Sequence, residues 1–600
     1  MYGKAIRKEN GYDANSYTYY PVAIIGAGES GIAMGCRLKE ALGFDQFRIF
    51  DRQSGIGGTW WINSPAIFYS FSFCPNPDWT TFHPSGPEIV RYLQGVCDHY
   101  KIVDKIQLNT DVRGCTWLES EQVWEVTLQH LMVGVGDLSE FDRAQKITRD
   151  GPTSVYVTEE KIRAKILISA VGGLVEPNLF PKGIPGQERF EGEIFHSARW
   201  RYDIDLKDKD VVVVGTGCSA AQFVPRLTKD YGAKSVTQIM RSPPWWEKWA
   251  PRLNRSIPLF NKFIRFVVAC GSEFDFRLFG GGEYAAKERA KVEVQLLEHM
   301  RKTAPEKYHE ILTPDYGVGC KRRIFDASWF PGLNDPRIEL TTMPLTSVSS
   351  NSVTLGPGRT YPGPPKEGAK ESEEVSVPAD VIVLANGFQT TEWLHPIEVT
   401  GRNGKKIHDV WAERGGPQMY MGLAMDGFPN FFTIFGPNTA TGHSSVILAS
   451  ENMVNLSLKF IKPILDGAVE RVEIKRSAEE KFSADIQGAL KKTVWQSGGC
   501  QSWYKTESGW NSTLYPYSQL NFTLRCMFPT WQDWDLTYTP RGLAMKRLRL
   551  LLKSFAVLAA FVWALRLRRK GQSSKKAVKD AARDVLQRGA LILQWVAGKL

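Results

Sequence analysis

The sequence predicts an α/β protein built on two parallel, doubly wound sheets. A short apolar strand from Pro21 to Ile25 runs into a glycine-rich turn and then into a helical pattern. The same order of strand, turn and helix begins again at Asp210. A third apolar strand, Asp380 to Phe388, follows much later and indicates that the chain returns to its first sheet. We therefore expect two Rossmann-like units in one chain, the first of them discontinuous.

The first glycine-rich turn has the spacing of a dinucleotide-binding motif. Gly26, Gly28 and Gly31 stand where such a motif needs a tight turn, a close approach to a diphosphate and close helix packing. The N-terminus of the following helix attracts the anion. Asp51 ends the next strand, where an acid accepts hydrogen bonds from a ribose hydroxyl. A chance glycine-rich turn is the alternative interpretation.

The second turn carries the GxGxxA variant of the same motif. Its predicted site residues are Gly215, Thr216, Gly217, Ser219 and Ala220. The next strand ends at Arg241 and Ser242, where an NAD enzyme would carry an acid. A guanidinium at this position can form paired hydrogen bonds with a 2′-phosphate, which favours NADP over NAD. A solvated surface arginine is the alternative. Two sites with opposite charge at the ribose position predict two different dinucleotides, and FAD fits the first.

Composition excludes several classes of protein. The chain has 600 residues, of which 43% are hydrophobic and 23% charged, values that argue against disorder, collagen and a multi-pass membrane protein. The net charge is +11, but residues 541–600 alone carry +13, so the rest of the chain is close to neutral. A nearly neutral body with a basic tail argues against nucleic-acid binding along a whole face.

Cysteine usage indicates a reducing environment. The nine cysteines are scattered and form no CxxC pair. This pattern argues against a disulfide framework and against a metal site. We expect all nine to be reduced thiols in a cytoplasmic body.

Between the two units the chain resembles a known family. The segment matches the FxGxxxHxxxW pattern of the Baeyer–Villiger monooxygenases at Phe190, Gly192, His196 and Trp200. In the related N- and S-oxygenating enzymes, the last position of this pattern is usually Tyr or Phe. Two further segments are similar to those of the family, the GGTW at 57–60 and the segment from Gly317 to Asp326. The stretches at 436–444 and 500–504 are similar to those of fungal members that modify polyketides and terpenoids. The resemblance runs from about Val22 to Asp535. Arg201 is a mild departure, since Pro or Asp is usual there.

The resemblance implies roles for individual residues. Arg322 is the expected catalytic residue, because its fixed charge above the reduced flavin would favour the anionic peroxyflavin and the adduct with the ketone. Lys321 would join Arg241 at the 2′-phosphate, and Trp503 would cover the nicotinamide ribose. Residues expected at the FAD site also include Thr59, Trp60, Asn63, Tyr69 and Val112. From the residues alone, the Lys-Arg-Arg run at 321–323 would be a solvated charged stretch.

The segment after Trp60 departs from the family pattern. A Tyr-Pro-Gly turn and an aspartate near the flavin are missing, and Asn63 stands six residues before Tyr69 in the place of the acid. Either an internal shortening or a misplaced exon boundary accounts for this. If the shortening is real, it removes a wall of the flavin site and favours uncoupling.

The tail is basic and partly apolar. The stretch from Leu550 to Leu567 is mainly apolar, but its uninterrupted run, Ser554 to Leu565, is shorter than the roughly 20 residues of a membrane span. We expect residues 546–570 to tether the body to the cytosolic face of a membrane, by a snorkelling span or in the headgroup plane. Docking of an extra helix on the protein is the alternative.

These observations define a predicted domain organisation. The boundaries are 1–160 for the first part of the FAD-binding domain, 161–205 for a linker, 206–375 for the NADP-binding domain with a helical insertion at 245–316, 376–540 for the returning FAD-binding part, and 541–600 for the tail. We expect residues 351–378 to be a surface loop.

The expected function is an FAD- and NADPH-dependent Baeyer–Villiger oxidation that uses O2 to convert a ketone of secondary metabolism into an ester or lactone. No protein partner is predicted. Three alternatives stay open: an N- or S-oxygenating monooxygenase, an uncoupled NADPH oxidase, and a catalytically silent flavoprotein that acts as a scaffold.

Overall fold

The computed structural model describes residues 5–7, 17–62, 70–76, 78–80, 84–247, 258–325, 328–361, 373–500 and 502–569. The described residues form two compact units. The larger unit comprises residues 1–461 and 473–535, and the smaller comprises residues 462–472 and 536–600. The predicted nucleotide-binding residues that the structure describes all belong to the larger unit.

The strands, in chain order, are β1 Ala5–Arg7, β2 Tyr17–Ile25, β3 Phe47–Phe50, β4 Ile106–Gln107, β5 Thr110–Leu118, β6 Val123–Leu131, β7 Tyr156–Ser169, β8 Glu193–His196, β9 Asp210–Val214, β10 Ser235–Ile239, β11 Trp246–Glu247, β12 Ile324–Phe325, β13 Ile338–Thr341, β14 Leu345–Val348, β15 Ser352–Leu355, β16 Val375–Pro378, β17 Val381–Leu384, β18 Glu398–Thr400, β19 Phe431–Thr433, β20 Val469–Ile474 and β21 Trp534–Tyr538.

The α-helices, in chain order, are α1 Glu29–Leu42, α2 Thr59–Ile62, α3 Gly86–His99, α4 Glu140–Asp150, α5 Cys218–Lys229, α6 Pro258–Asp275, α7 Glu283–Thr303, α8 Trp329–Gly332, α9 Ile407–Glu413, α10 Val446–Leu465, α11 Arg476–Leu490, α12 Val494–Ser497, α13 Gln519–Met527 and α14 Pro540–Arg569.

The first sheet has a parallel centre. Its order is β18-β5-β6-β7-β2-β3-β4, with β1 added to β2 and β19 added to β7. β2 runs parallel to β3 and β7, whereas β5, β6 and β7 form an antiparallel meander. β2 begins at Tyr17, four residues before the predicted start at Pro21, because its first residues pair with both β1 and β7. The end of β2 at Ile25 agrees with the sequence and delivers the chain to the first glycine turn.

The second sheet is entirely parallel. Its order is β13-β10-β9-β17-β8, and its central strands β9 and β17 contribute buried apolar side chains to a core on each face. The interpretation of Asp380–Phe388 as a strand of the first sheet was wrong. Residues Val381–Leu384 pair instead with β8 and β9, because this strand is apolar on both faces and needs two parallel partners. The chain returns to the first sheet at β18 and β19, so the predicted boundary at residue 376 cuts the second sheet.

Both glycine turns are built in the same way. Gly26 and Gly215 follow the central strands β2 and β9 with φ of 104° and 121°, values that L side chains rarely adopt. A Cβ on Gly26 would collide with the carbonyl of Ala170, and a Cβ on Gly215 would collide with that of Ala385. Ala170 and Ala385 each follow a neighbouring parallel strand, so the strand ends come too close for any other residue type.

Helices and a small sheet surround this framework. The predicted insertion at 245–316 contains α6 and α7, as the sequence indicates. The surface loop predicted over 351–378 was partly wrong, because its two ends form β15 and β16 of a three-stranded antiparallel sheet with β14. The alternating apolar residues of β15, Val353 and Leu355, are buried against the core of the second sheet.

The smaller unit ends in the helix α14. Thr539 precedes α14 and fixes the start of this helix. The backbone N–H of Thr539 donates to the carbonyl of Ala468 at 3.1 Å, and the hydroxyl of Thr539 donates to the carbonyl of Gly467 at 2.7 Å. The predicted tail is therefore helical as far as Arg569, and residues 570–600 lie outside the described residues. Within the part of the chain that the structure describes, no helix is long and apolar enough to cross a bilayer.

Candidate active site

A cavity opens at the carboxyl ends of the first sheet. We call it the first nucleotide cavity, and residues from both halves of the chain line it. Predicted site residues on its wall are Gly26, Gly28, Asp51, Thr59, Trp60, Val112 and Arg322. Gly31 lies one turn further along α1, where a Cβ would collide with the carbonyl of Gly26. Asn63 and Tyr69 lie outside the described residues.

The turn at Gly26–Gly28 can hold a diphosphate. Gly28 precedes the first turn of α1, and no described side chain caps this helix. The GGTW segment lies directly above, because the backbone N–H of Gly57 donates to the carbonyl of Ala27 at 3.0 Å. A Cβ on Gly58 would stand 3.0 Å from the Cα of Gly28. The uncapped helix and the close glycine backbones form a cradle that fits the diphosphate of FAD.

Asp51 holds the cradle in shape. Its carboxylate accepts hydrogen bonds from the backbone N–H of Ala27 at 2.6 Å and of Gln53 at 2.8 Å. Burial raises the pKa of Asp51, and these two backbone donors oppose the rise. A carboxylate has about four lone-pair sites, so it can still accept from a ribose hydroxyl, as the sequence predicts.

The second glycine turn presents another open helix end. No described atom lies within 4 Å of a Cβ built on Gly217, which precedes α5 without a side-chain cap. Ala220 and Thr216 are buried, and Ser219 lies in the first turn of the helix. The buried side chain of Gln238 on β10 fixes the turn by donating to the carbonyl of Gly215 at 2.9 Å. This arrangement fits a second diphosphate.

A cationic cluster lies beside this second turn. The Lys321 ammonium donates to the Ser242 hydroxyl at 2.8 Å, and Arg241 is exposed next to it. Burial and the charge of Arg241 lower the pKa of Lys321 to about 8, against the attraction of Asp315. Two cations held this close repel each other until an anion arrives, so Arg241, Ser242 and Lys321 fit a 2′-phosphate.

Arg322 connects the two nucleotide sites. It follows Lys321 directly, yet it lines the first nucleotide cavity. The buried ring of Tyr504 is close to it, and burial raises the pKa of Tyr504 to about 12 while the Arg322 charge lowers it. Consecutive residues thus serve the cationic cluster and the first cavity.

Trp503 stands on the loop that precedes Tyr504. Its carbonyl accepts a hydrogen bond at 2.8 Å from the hydroxyl of Thr390, a residue of the cavity wall, and its side chain is 45% exposed. The loop is therefore fastened beside the cavity. The contact of Trp503 with a nicotinamide ribose stays a prediction.

The expectation of nine reduced cysteines was wrong. Cys320 and Cys500 form a disulfide, and the other seven are free. The two partners are 180 residues apart, and only the fold brings the segment before Lys321 against the loop before Trp503. Spacing along the sequence carries no signal for such a pair.

The FxGxxxHxxxW segment joins elements of the second sheet. A Cβ on Gly192 would collide with the carbonyl of Asp380 and the ring of Phe190, which explains the glycine. His196 Nδ1 accepts from the backbone N–H of Ala198 at 3.0 Å, and burial lowers its pKa to about 4. Trp200 packs against Phe223 and other aromatic rings of this core. His196 is therefore a neutral, structural ring near neutral pH.

Sequence reasoning missed several residues of the cavity wall. Arg52 forms a buried ion pair there with Glu176, and Gln389, Thr390 and Glu29 also line the cavity. Glu29 carried a signal, because it is a charged residue inside the first glycine motif. The others come from loops that only the fold places together.

Comparison with known proteins agrees with this geometry. The family model described as flavin-binding monooxygenase-like matches residues 148–246. A Baeyer–Villiger monooxygenase of Pseudomonas aeruginosa is 32% identical over 86% of this chain and 92% of its own. The FAD-binding monooxygenase ktnD of Aspergillus niger is 29% identical over 87% and 82%. The crystal structure of OTEMO in complex with FAD and NADP has a TM-score of 0.69 at 21% identity, over 86% of this chain and 99% of its own.

Two Rossmann-like units with a glycine cradle in each define a flavin-dependent oxidoreductase of the two-dinucleotide class. The extent of the match to the Pseudomonas enzyme then settles the family. The chain belongs to the Baeyer–Villiger monooxygenases.

The disulfide makes a testable contribution to stability. We expect reduction, or the Cys500→Ser variant, to lower the free energy of unfolding by about 2–4 kcal/mol, because the cross-link restricts a long loop in the unfolded chain. Chemical denaturation with and without reductant measures this. Cys270→Ser, at an exposed free thiol, is the matched control and should change little. Nine reactive thiols in the denatured, unreduced protein would contradict the disulfide.

Proposed function

We propose that the protein is an FAD- and NADPH-dependent Baeyer–Villiger monooxygenase that converts a ketone into an ester or lactone with O2. The placement of Lys321 and Arg322 carries the proposal, because neighbouring residues reach a 2′-phosphate cluster and the FAD-type cavity. Similarity to the Baeyer–Villiger monooxygenase of Pseudomonas aeruginosa supports this activity, and similarity to the FAD-binding monooxygenase ktnD of Aspergillus niger supports the use of FAD. The motifs shared with fungal members support a ketone of secondary metabolism as substrate.

The chain's own residues bind FAD in the first nucleotide cavity. The uncapped start of α1 and the Gly57–Gly58 backbone hold its diphosphate, while Asp51 accepts from its ribose. Thr59, Trp60 and Val112 contact the cofactor along the cavity wall. Bound FAD, once reduced by NADPH, supplies the activation of O2 for transfer of one oxygen atom.

A second group of residues binds NADPH. The open start of α5 at Gly217 holds the diphosphate, with Thr216 and Ser219 beside it. Arg241, Ser242 and Lys321 hold the 2′-phosphate and thereby select NADPH over NADH. Trp503 covers the nicotinamide ribose from its loop.

Arg322 stabilises negative charge where the reaction occurs. Arg322 carries a guanidinium, lies on the cavity wall as an exposed residue and stands close to the buried Tyr504. A fixed cation that needs no reorganisation stabilises an anionic transition state more in an enclosed site than in water.

The Arg322→Ala variant tests this role. We expect FAD content to be unchanged and ester formation to fall at least about a hundredfold, as for the loss of one preorganised donor to a transition-state anion. Product analysis and flavin absorbance measure both quantities on the same sample. Arg323→Ala is the matched control, because Arg323 pairs with Asp275 on α6. Full ester formation by Arg322→Ala would contradict the assignment.

The cationic cluster predicts a pH dependence for NADPH. The pKa of Lys321 is about 8 in the free protein, and a bound 2′-phosphate raises it. Binding energy from this lysine is therefore complete below pH 8 and is lost as the pH rises above 8. We expect the KM for NADPH to rise between pH 8 and pH 9.5, whereas the KM for NADH, which lacks the 2′-phosphate, stays flat. Equal pH profiles for the two nucleotides would contradict the cluster's role.

The shortened segment after Trp60 favours a second candidate, an uncoupled NADPH oxidase. In that case NADPH oxidation would yield H2O2 in place of an ester. The ratio of ester to H2O2 formed per NADPH distinguishes the two activities.

We also propose that α14 tethers the protein to an anionic membrane surface. Its apolar side chains are exposed on all sides, with Leu551, Phe555 and Val557 about 70% exposed. Basic residues precede and interrupt this stretch, from Lys546 to Lys553. Anionic lipids attract such a helix, and its apolar side chains then leave water.

Co-sedimentation of the full chain with vesicles tests the tether. We expect binding to phosphatidylserine-containing vesicles and weaker binding to neutral ones. The double variant Phe555→Ser with Phe561→Ser should reduce binding about tenfold or more, because two large apolar side chains are lost. Phe528→Ser removes an equally exposed ring outside the tail and is the control. Unchanged vesicle binding by the double variant would contradict the tether.

A further inference from the structure

A partly buried carboxyl group stands at the entrance of the FAD cradle. Glu29 is the first residue of α1, directly after Gly28, and it lies on the wall of the first nucleotide cavity. It therefore stands beside the position that the cradle offers to the diphosphate of FAD. The glycine motif itself does not require an acid at this position.

Only one oxygen of this carboxyl group is hydrogen-bonded. Glu29 Oε1 accepts from the hydroxyl of Ser450 at 2.8 Å and from that of Ser30 at 3.0 Å. Oε2 is out of contact with solvent and has no hydrogen-bond partner among the described residues. An ionised carboxylate needs donors on both oxygens when it is buried, whereas a carboxylic acid carries a proton on one of them.

The charged side chain that shifts the pKa of Glu29 is an acid, which opposes the stabilisation that the start of α1 gives to an ionised form. Glu451 is the charged neighbour on α10, and its negative charge raises the pKa of Glu29. Asp51 adds a further carboxyl group on the cavity wall, and Arg322 is a cation on the same wall. Burial is the largest cause of the shift, and together these effects raise the pKa of Glu29 to about 7, although the two serine hydroxyls lower it.

A diphosphate brings two further negative charges to the start of α1. An ionised Glu29 would repel them in a poorly solvated site, while a neutral Glu29 would not. We propose that Glu29 is a neutral carboxylic acid in the FAD-bound protein and that FAD binding is coupled to uptake of one proton by Glu29. This inference rests on the proposed function, since it requires FAD in the first nucleotide cavity.

The coupling has a definite sign. FAD binds fully when Glu29 is already protonated, below about pH 7, and its affinity falls as the pH rises through 7. One coupled proton gives at most about a tenfold change in Kd per pH unit. We expect the Kd for FAD to rise about thirtyfold between pH 6 and pH 8.5.

Titration of the flavin-free protein with FAD, followed by flavin fluorescence, measures this Kd. The Glu29→Gln variant keeps a neutral side chain of the same shape, so we expect a Kd that is independent of pH and within about threefold of the wild-type value at pH 6. Glu40→Gln makes the same chemical change at an exposed position of α1 and should keep the wild-type slope. Calorimetry of FAD binding at pH 8 in two buffers of different ionisation enthalpy counts the protons taken up by the wild type, and does not depend on folding of any variant.

The outcomes separate this inference from the proposed function. A wild-type protein that binds no FAD at any pH overturns both. FAD binding with a flat pH profile, or without proton uptake, overturns only the coupling. A Glu29→Gln variant that keeps the wild-type slope, or that binds FAD more than tenfold more weakly at pH 6, also overturns the role of Glu29.

Discussion

The structure depends on the close approach of strand ends at two glycine turns. There is no room for a side chain where Gly26 meets Ala170 or where Gly215 meets Ala385. Each glycine turn leads into a helix whose start is open to an anion. A nearly neutral body can then bind two diphosphates with backbone groups in place of buried cations. Cations stand instead at Arg241 and Lys321, which fit a 2′-phosphate, and at Arg322 on the cavity wall.

The two nucleotide sites are linked through one short segment. Lys321 reaches Ser242 in the cationic cluster, and Arg322 reaches the cavity at the end of the first sheet. The Cys320–Cys500 disulfide fixes this segment to the loop of Trp503 and Tyr504. The groups that surround the two nucleotide sites therefore share one short, cross-linked segment.

Sequence predicted the local motifs well and the long-range pairings poorly. The strand, turn and helix at 21–42 have a fixed order that physical constraints on diphosphate binding impose, so they were visible in the sequence. The partner of the strand at 381–384 was not, because an apolar strand fits either parallel sheet, and the structure places it in the second. The disulfide and the Arg52–Glu176 pair likewise join distant segments. The protonation state of Glu29 depends on α10, which sequence reasoning does not bring near the first turn.

If the two dinucleotide sites serve one reaction, NADPH bound at the second site must reduce FAD bound at the first. Anaerobic mixing of the FAD-loaded protein with one equivalent of NADPH measures this reduction, with the absorbance of the oxidised flavin as the readout. We expect complete loss of the oxidised flavin absorbance with NADPH and much slower loss with NADH. NADPH that binds the protein and leaves the flavin oxidised would contradict it.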